Sequence, residues 1–180
     1  MILNEHRKFI FIEVPKTGTS SVANRLLELD SGSVRNEIRG EDGNVRQVRT
    51  HIPVSEVRRI LGRRADEFDY VAFLRDPVDL ALSKYHFFRQ GRAARRSAWG
   101  DGNTGRWLRV RLANSLGIVP WLLFFPFRSA SWYVEDGDDW VVPYLGDFSN
   151  LQAEFVRIFE RFGYRPEELR LPELNRTEYP

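Results

Sequence analysis

The chain has 180 residues, 42% hydrophobic and 29% charged, with a net charge of +2. That is enough for one domain with a real core, and its positive charge is too well balanced by acid to suggest a nucleic-acid binder. It holds no cysteine, which excludes disulfides and thiol chemistry, and His6, His51 and His86 are too scattered for a zinc centre.

In chain order, Phe9 to Val14 is an apolar run of the kind buried in a parallel sheet. A turn, Pro15 to Ser21, follows, and then Val22, Ala23, Leu26 and Leu29 recur at helical spacing. Gln47 to Thr50 is a second, shorter strand. Pro53 opens a helix with Val57, Ile60 and Leu61 inward, stopped by Gly62. Asp69 to Leu74 is the clearest buried strand. Asp76 and Pro77 then cap and open a helix whose inward face is Val78, Ala81, Leu82 and Tyr85.

Residues 91–138 break this rhythm, being rich in arginine, then apolar, then acidic. Trp140 to Leu145 is a further strand, and Ser149 to Gln152 has the capping-box pattern before a stripe of Leu151, Phe155, Ile158, Phe159 and Phe162 that ends at Gly163. The alternation of strands and helices implies an α/β fold with a central parallel sheet flanked by helices, a single domain over 1–180 with a variable insertion at 91–138. The apolar run Leu116 to Phe127 is broken by two prolines and is too short to span a bilayer. The first strand follows MILNEHRKF with no room for a secretory signal, so the expected location is cytoplasmic.

A turn between a buried strand and a helix presents backbone N–H groups and the positive end of a helix dipole, which suits an anion. Gly18 lets the backbone approach the anion, Thr19, Ser20 and Ser21 add hydroxyls, and Lys16 adds a full charge. The order is not that of a Walker A loop, because Lys16 precedes Gly18. The same residues also fit an ordinary capped strand-to-helix turn. A second group tips the balance: Arg75 leaves the Asp69–Leu74 strand at its carboxyl end, where open α/β sheets bind ligands, and Ser83 follows eight residues later. The plain alternative pairs Arg75 with Asp79 on the surface.

PKTGTSS followed by FLRDPVDLALSKY resembles the pair of phosphosulfate-binding motifs of PAPS-dependent sulfotransferases, and the tail NRT resembles a motif of the carbohydrate-type branch. The resemblance covers residues 8–90 and 139–177. It implies a P-loop-like three-layer fold. It also implies that Pro15, Lys16, Thr17, Gly18, Thr19, Ser20 and Ser21 hold the 5′-phosphosulfate, and that Arg75 and Ser83 hold the 3′-phosphate. The implied reaction moves a sulfuryl group from PAPS to an acceptor hydroxyl on a carbohydrate, glycolipid or small molecule. PAP is the product and no metal is required.

Lys16 is placed to meet charge on the leaving phosphate. For the base, His51 after the second strand is the first choice and Glu13, two residues before Pro15, the rival. Acceptor choice falls to 91–138: its arginines suit an acidic glycan and its aromatics an apolar pocket or lid, or, more simply, these are a solvated face and a core, and a lesser reading dips the aromatics into a lipid interface, which would fit a glycolipid acceptor. A kinase with a variant phosphate loop and a non-catalytic sulfotransferase-like binding protein are the competing readings.

Overall fold

The computed structural model describes residues 1–90, 104–125 and 128–172, with the side chains of 104–107 excepted. They fall into two compact units, one within Met1–Arg75 and Ser129–Arg176, the other within Asp76–Arg128.

The first unit is built on a five-stranded sheet. Its strands are β1 (Ile2–Asn4), β2 (Phe9–Ile12), β3 (Ser33–Arg35), β6 (Asp69–Leu74) and β9 (Tyr144–Asp147), in the order β3-β1-β2-β6-β9. Strands β2, β6 and β9 run parallel, with Ile12 beside Ala72 and Leu74 beside Asp147. Strands β1 and β3 are antiparallel, Ile2 facing both Phe11 and Arg35. The sheet is therefore mixed, and the parallel sheet expected from the sequence holds only for its three-stranded half. The reason is local: after β2 and helix α1 (Thr19–Leu29) the chain returns through β3, which pairs with the N-terminal strand instead of with β2.

Side-chain alternation divides the core between the two faces. Ile10, Ile12, Tyr70 and Ala72 pack with Val54, Val57 and Leu61 of helix α2 (Val54–Leu61). Phe9, Phe11, Val71 and Phe73 pack with Val22, Ala23 and Leu26 of α1 and with Phe155, Ile158 and Phe159 of the helix Leu151–Phe159. Helices thus flank both faces, which explains why β2 and β6 read as continuous apolar runs.

Two strand assignments move. The short strand expected at Gln47–Thr50 is β5 (Val45–Gln47), and it pairs with β4 (Glu37–Arg39) in a separate ribbon, with all three of its residues exposed. The run from Trp140 divides between β8 (Asp139–Trp140), which pairs with β7 (Glu135–Asp136), and β9 in the main sheet. The expected capping box is also absent: Asp147, not Ser149, caps the chain there by accepting from the Ser149 N–H at 2.8 Å. Gln152 instead donates to the Leu169 carbonyl and accepts from the Leu171 N–H, holding down the chain beyond the helix.

The second unit contains α3 (Pro77–Arg89) and the helices Thr104–Ser115 and Ile118–Phe124. Asp76 caps α3 as expected, accepting from the N–H groups of Val78 and Asp79 at 2.8 and 3.0 Å. Its buried residues are Leu80, Ser83 and Tyr85, while Val78, expected inward, is exposed. Tyr85, Ala113 and Trp121 form this unit's core, with Tyr85 Oη donating to Leu116 O and Trp121 Nε1 to Arg109 O. No described helix is long and apolar enough to cross a membrane. The tail motif at 175–177 and residues 91–103 lie outside the described residues.

Candidate functional site

The carboxyl ends of β2, β6 and β9 meet at one edge of the sheet, and the turn after β2 is shaped by two left-handed residues. Lys16 has φ 70° and Gly18 φ 71°. At Gly18 a side chain is disfavoured by the backbone angle, and a Cβ would press on Leu151 Cδ2 and crowd Phe148. Gly18 is the N-cap of α1 and supplies no side-chain cap. The helix's hydrogen bonds begin with Ser21 and Val22 donating to Gly18 O, so the N–H groups of Gly18, Thr19 and Ser20 stand ahead of them.

The hydroxyls that the sequence offers are not equivalent. Thr17 is fully buried and its Oγ1 donates to Val14 O at 2.9 Å, which ties the turn to the end of the strand. Thr19 and Ser21 are buried, Ser20 is exposed, and Pro15 and Lys16 are half-buried.

Arg75 follows β6 and is brought to this turn. Its Nη1 donates to Lys16 O at 3.3 Å, and its guanidinium carbon lies 4.5 Å from the centroid of the Phe148 ring. Lys16, Gly18, Arg75 and Phe148 therefore share one edge, with two cationic residues beside an N-terminus that carries positive partial charge. Ser83 is buried on α3 in the second unit.

His51 and Glu13 also meet. His51 is exposed, and its Nδ1 lies 2.7 Å from the backbone carbonyl of Glu13. A carbonyl only accepts, so Nδ1 carries the hydrogen and in the neutral ring Nε2 keeps the lone pair. The Glu13 side chain points elsewhere. It is 1% exposed, takes a two-pronged bond from Arg35 (Nε at 3.1 Å, Nη2 at 2.7 Å) and pairs with the Met1 amine at 3.0 Å. Burial pushes that amine below its ordinary value, against the pull of Glu13. The amine also donates to Asn36 Oδ1 and Thr50 O, and Asn36 Nδ2 donates to Thr50 Oγ1, so the residue before His51 is held from two sides.

Arg35, Asn36 and Phe148 are the contributors that sequence reasoning missed. Arg35 sits in a three-residue strand and Phe148 in a single 3₁₀ turn, with no periodicity or motif to mark either. Among the described residues no group of three histidines and carboxylates is placed to hold a metal ion. A concave surface lined by Arg49, Arg58, Arg59 and Trp132 lies along α2 and includes neither Lys16 nor Arg75. Its arginines Arg49 and Arg58 are paired with Glu56 and Asp136. Comparisons with family models, curated proteins and solved structures find no match for this chain.

Proposed function

We propose that the chain is a PAPS-dependent sulfotransferase, with the turn of Pro15 to Ser21 as the 5′-phosphosulfate cradle of a P-loop-like three-layer fold. The observation that carries this is the uncapped N-terminus of α1 at left-handed Gly18, flanked by Lys16 and Arg75. Such a donor set fits an oxyanion: backbone N–H groups, an exposed Ser20 hydroxyl and the Lys16 cation, with Arg75 beside the turn left for the 3′-phosphate. Thr17 contributes through the backbone, since its hydroxyl is committed to Val14.

In this reading PAPS supplies the sulfuryl group and leaves as PAP. The sulfur–oxygen bond to the 5′-phosphate breaks as one forms to the acceptor oxygen, with little covalent work for the protein, as in phosphoryl transfer. Lys16 meets the charge that develops on the leaving phosphate oxygen. His51 takes the acceptor proton on Nε2, the nitrogen left with a lone pair by the bond from Nδ1 to Glu13 O. Glu13 is the weaker candidate for base, because Arg35 and the Met1 amine already engage its carboxylate. It acts by positioning His51 through its carbonyl. Ser83 enters from the sequence pattern as partner of Arg75 for the 3′-phosphate.

Ligand-induced thermal stabilisation tests the proposal. PAP is expected to raise the melting temperature well above AMP at equal concentration, and sulfate from labelled PAPS is expected to appear on a panel of hydroxyl acceptors. Equal stabilisation by AMP and PAP would remove the 3′-phosphate assignment. Stabilisation by ATP with Mg²⁺ but not by PAP would turn the reading to a kinase.

A further inference from the structure

The helix Ile118–Phe124 reads IVPWLLF and carries no charged side chain, its one polar side-chain group being the Trp121 indole N–H. Its inner side is accounted for: Trp121 is buried against Tyr85 and Phe88, with Ile118, Leu122 and Phe125 partly buried around it. The outer side is apolar as well. Val119 is 66% exposed, Leu123 78% and Phe124 67%, and Leu108 of the neighbouring helix is 43% exposed. Val119 and Leu123 stand four apart and so share a face, with Phe124 beside them. A helix that is apolar all round has to be covered on its outer side too.

The charges around it indicate what covers it. No aspartate or glutamate occurs between Asp101 and Glu135, while Arg109, Arg111 and Arg128 are all exposed. The Arg109 guanidinium lies 5.5 Å from the ring of Phe125, at the end of this helix. A segment with an exposed apolar face, exposed arginines and no carboxylate in its own sequence fits a lipid interface, with apolar side chains in the acyl boundary and cations among anionic headgroups. A second copy of the chain fits less well, because a two-fold contact would bring together two segments that both carry arginine and no acid.

We propose that the second unit docks on an anionic membrane surface through Val119, Leu123 and Phe124, with Arg109, Arg111 and Arg128 engaging the headgroups. The chain rests on the bilayer and does not span it.

The test is co-sedimentation of the full chain with vesicles of phosphatidylcholine alone, or with about one third phosphatidylserine. Binding is expected to the anionic vesicles, at least about tenfold tighter than to the neutral ones, and to fall steeply as salt rises to about 0.5 M. The pair Leu123→Glu and Phe124→Glu is expected to abolish it. The pair Arg109→Glu and Arg111→Glu is expected to weaken it about tenfold or more, and to remove most of the salt dependence. The substituted side chains are exposed, and an unchanged thermal melt shows that each variant is folded. Failure of the parent to bind anionic vesicles would overturn the proposal, as would binding that survives Leu123→Glu with Phe124→Glu. Sedimentation equilibrium without lipid tests the alternative occupant: a parent dimer that these two substitutions make monomeric would overturn the membrane proposal and make the face a self-interface. No arm uses PAPS or an acceptor, so the outcome is independent of the proposed activity.

Discussion

Lys16 stands in a backbone conformation that a lysine seldom adopts, with φ 70°. A residue kept there despite the strain is best tested by the one replacement that suits it. Lys16→Gly removes the amine and relieves the left-handed backbone, so stability to urea should stay within about 1 kcal/mol of the parent. If the amine meets charge in the transition state, kcat should nevertheless fall about 10²-fold or more. A variant that changed only the KM for PAPS would reduce Lys16 to a binding residue. His51 is tested in the same spirit by His51→Asn, which keeps a donor near the Glu13 carbonyl and lacks a basic nitrogen. Turnover should fall about 10²- to 10⁴-fold while PAP binding by calorimetry stays near the parent's. Normal turnover would end the assignment of His51. At this scale the sequence was legible in the turn between β2 and α1 and in its glycine at position 18, while the left-handed backbone of Lys16 had no signal in it. It was silent on Arg35 and Phe148, whose partners Glu13 and Arg75 are brought to them by the sheet and not by neighbouring residues.

The elements most legible from sequence were those that carry their own punctuation. Strand β6 runs over the expected Asp69–Leu74, and α3 opens at Pro77 behind the Asp76 cap. The three-residue strands β1 and β3 had no pattern to read, since they are too short for alternation to show and owe their existence to pairing with β2 and with each other. The capping motif before Leu151 failed because Gln152 has better partners in the chain after the helix, a tertiary contact overriding a local one. Helix α1 offers the element-scale prediction. Gly18→Ala adds a methyl where φ is 71° and where Leu151 already fills the space. Left-handed strain of about 1–2 kcal/mol and overpacking of about 1–3 kcal/mol should together lower stability by about 2–5 kcal/mol in urea melts. A loss under about 0.5 kcal/mol would mean that the turn can relax, and that its shape is not fixed by packing against Leu151.

At the scale of the whole molecule, alternating strands and helices led to a parallel sheet, and the chain answered with a mixed one because its first strand pairs backwards onto β2. Helices on both faces were legible because β2 and β6 are apolar without alternation, which only two covered faces explain. The two units also carry titratable groups shifted in opposite senses, two buried tyrosines in the first and the half-buried Lys84 in the second. In the first, burial raises Tyr70 and Tyr164 from 10.0 to about 12, and Tyr70 Oη donates to Ala65 O at 3.0 Å. In the second, burial lowers Lys84 from 10.5 to about 8. The linkage signs differ accordingly. A raised tyrosine contributes stability that is complete below pH 10 and is lost as pH climbs toward about 12, because the unfolded chain gives up its proton first. A lowered lysine works the other way: between about pH 8 and 10.5 the folded state has released a proton that the unfolded chain still holds, so stability rises with pH there. Urea midpoints followed across alkaline pH, with a probe in each unit, should show the second unit gaining before the first begins to lose. Lys84→Met should flatten the gain and leave the later loss in place. Tyr70→Phe with Tyr164→Phe should postpone the loss and reduce the tyrosinate absorbance that accompanies unfolding. Equal alkaline loss in both units, unchanged by either set of substitutions, would mean that other groups set the high-pH limit.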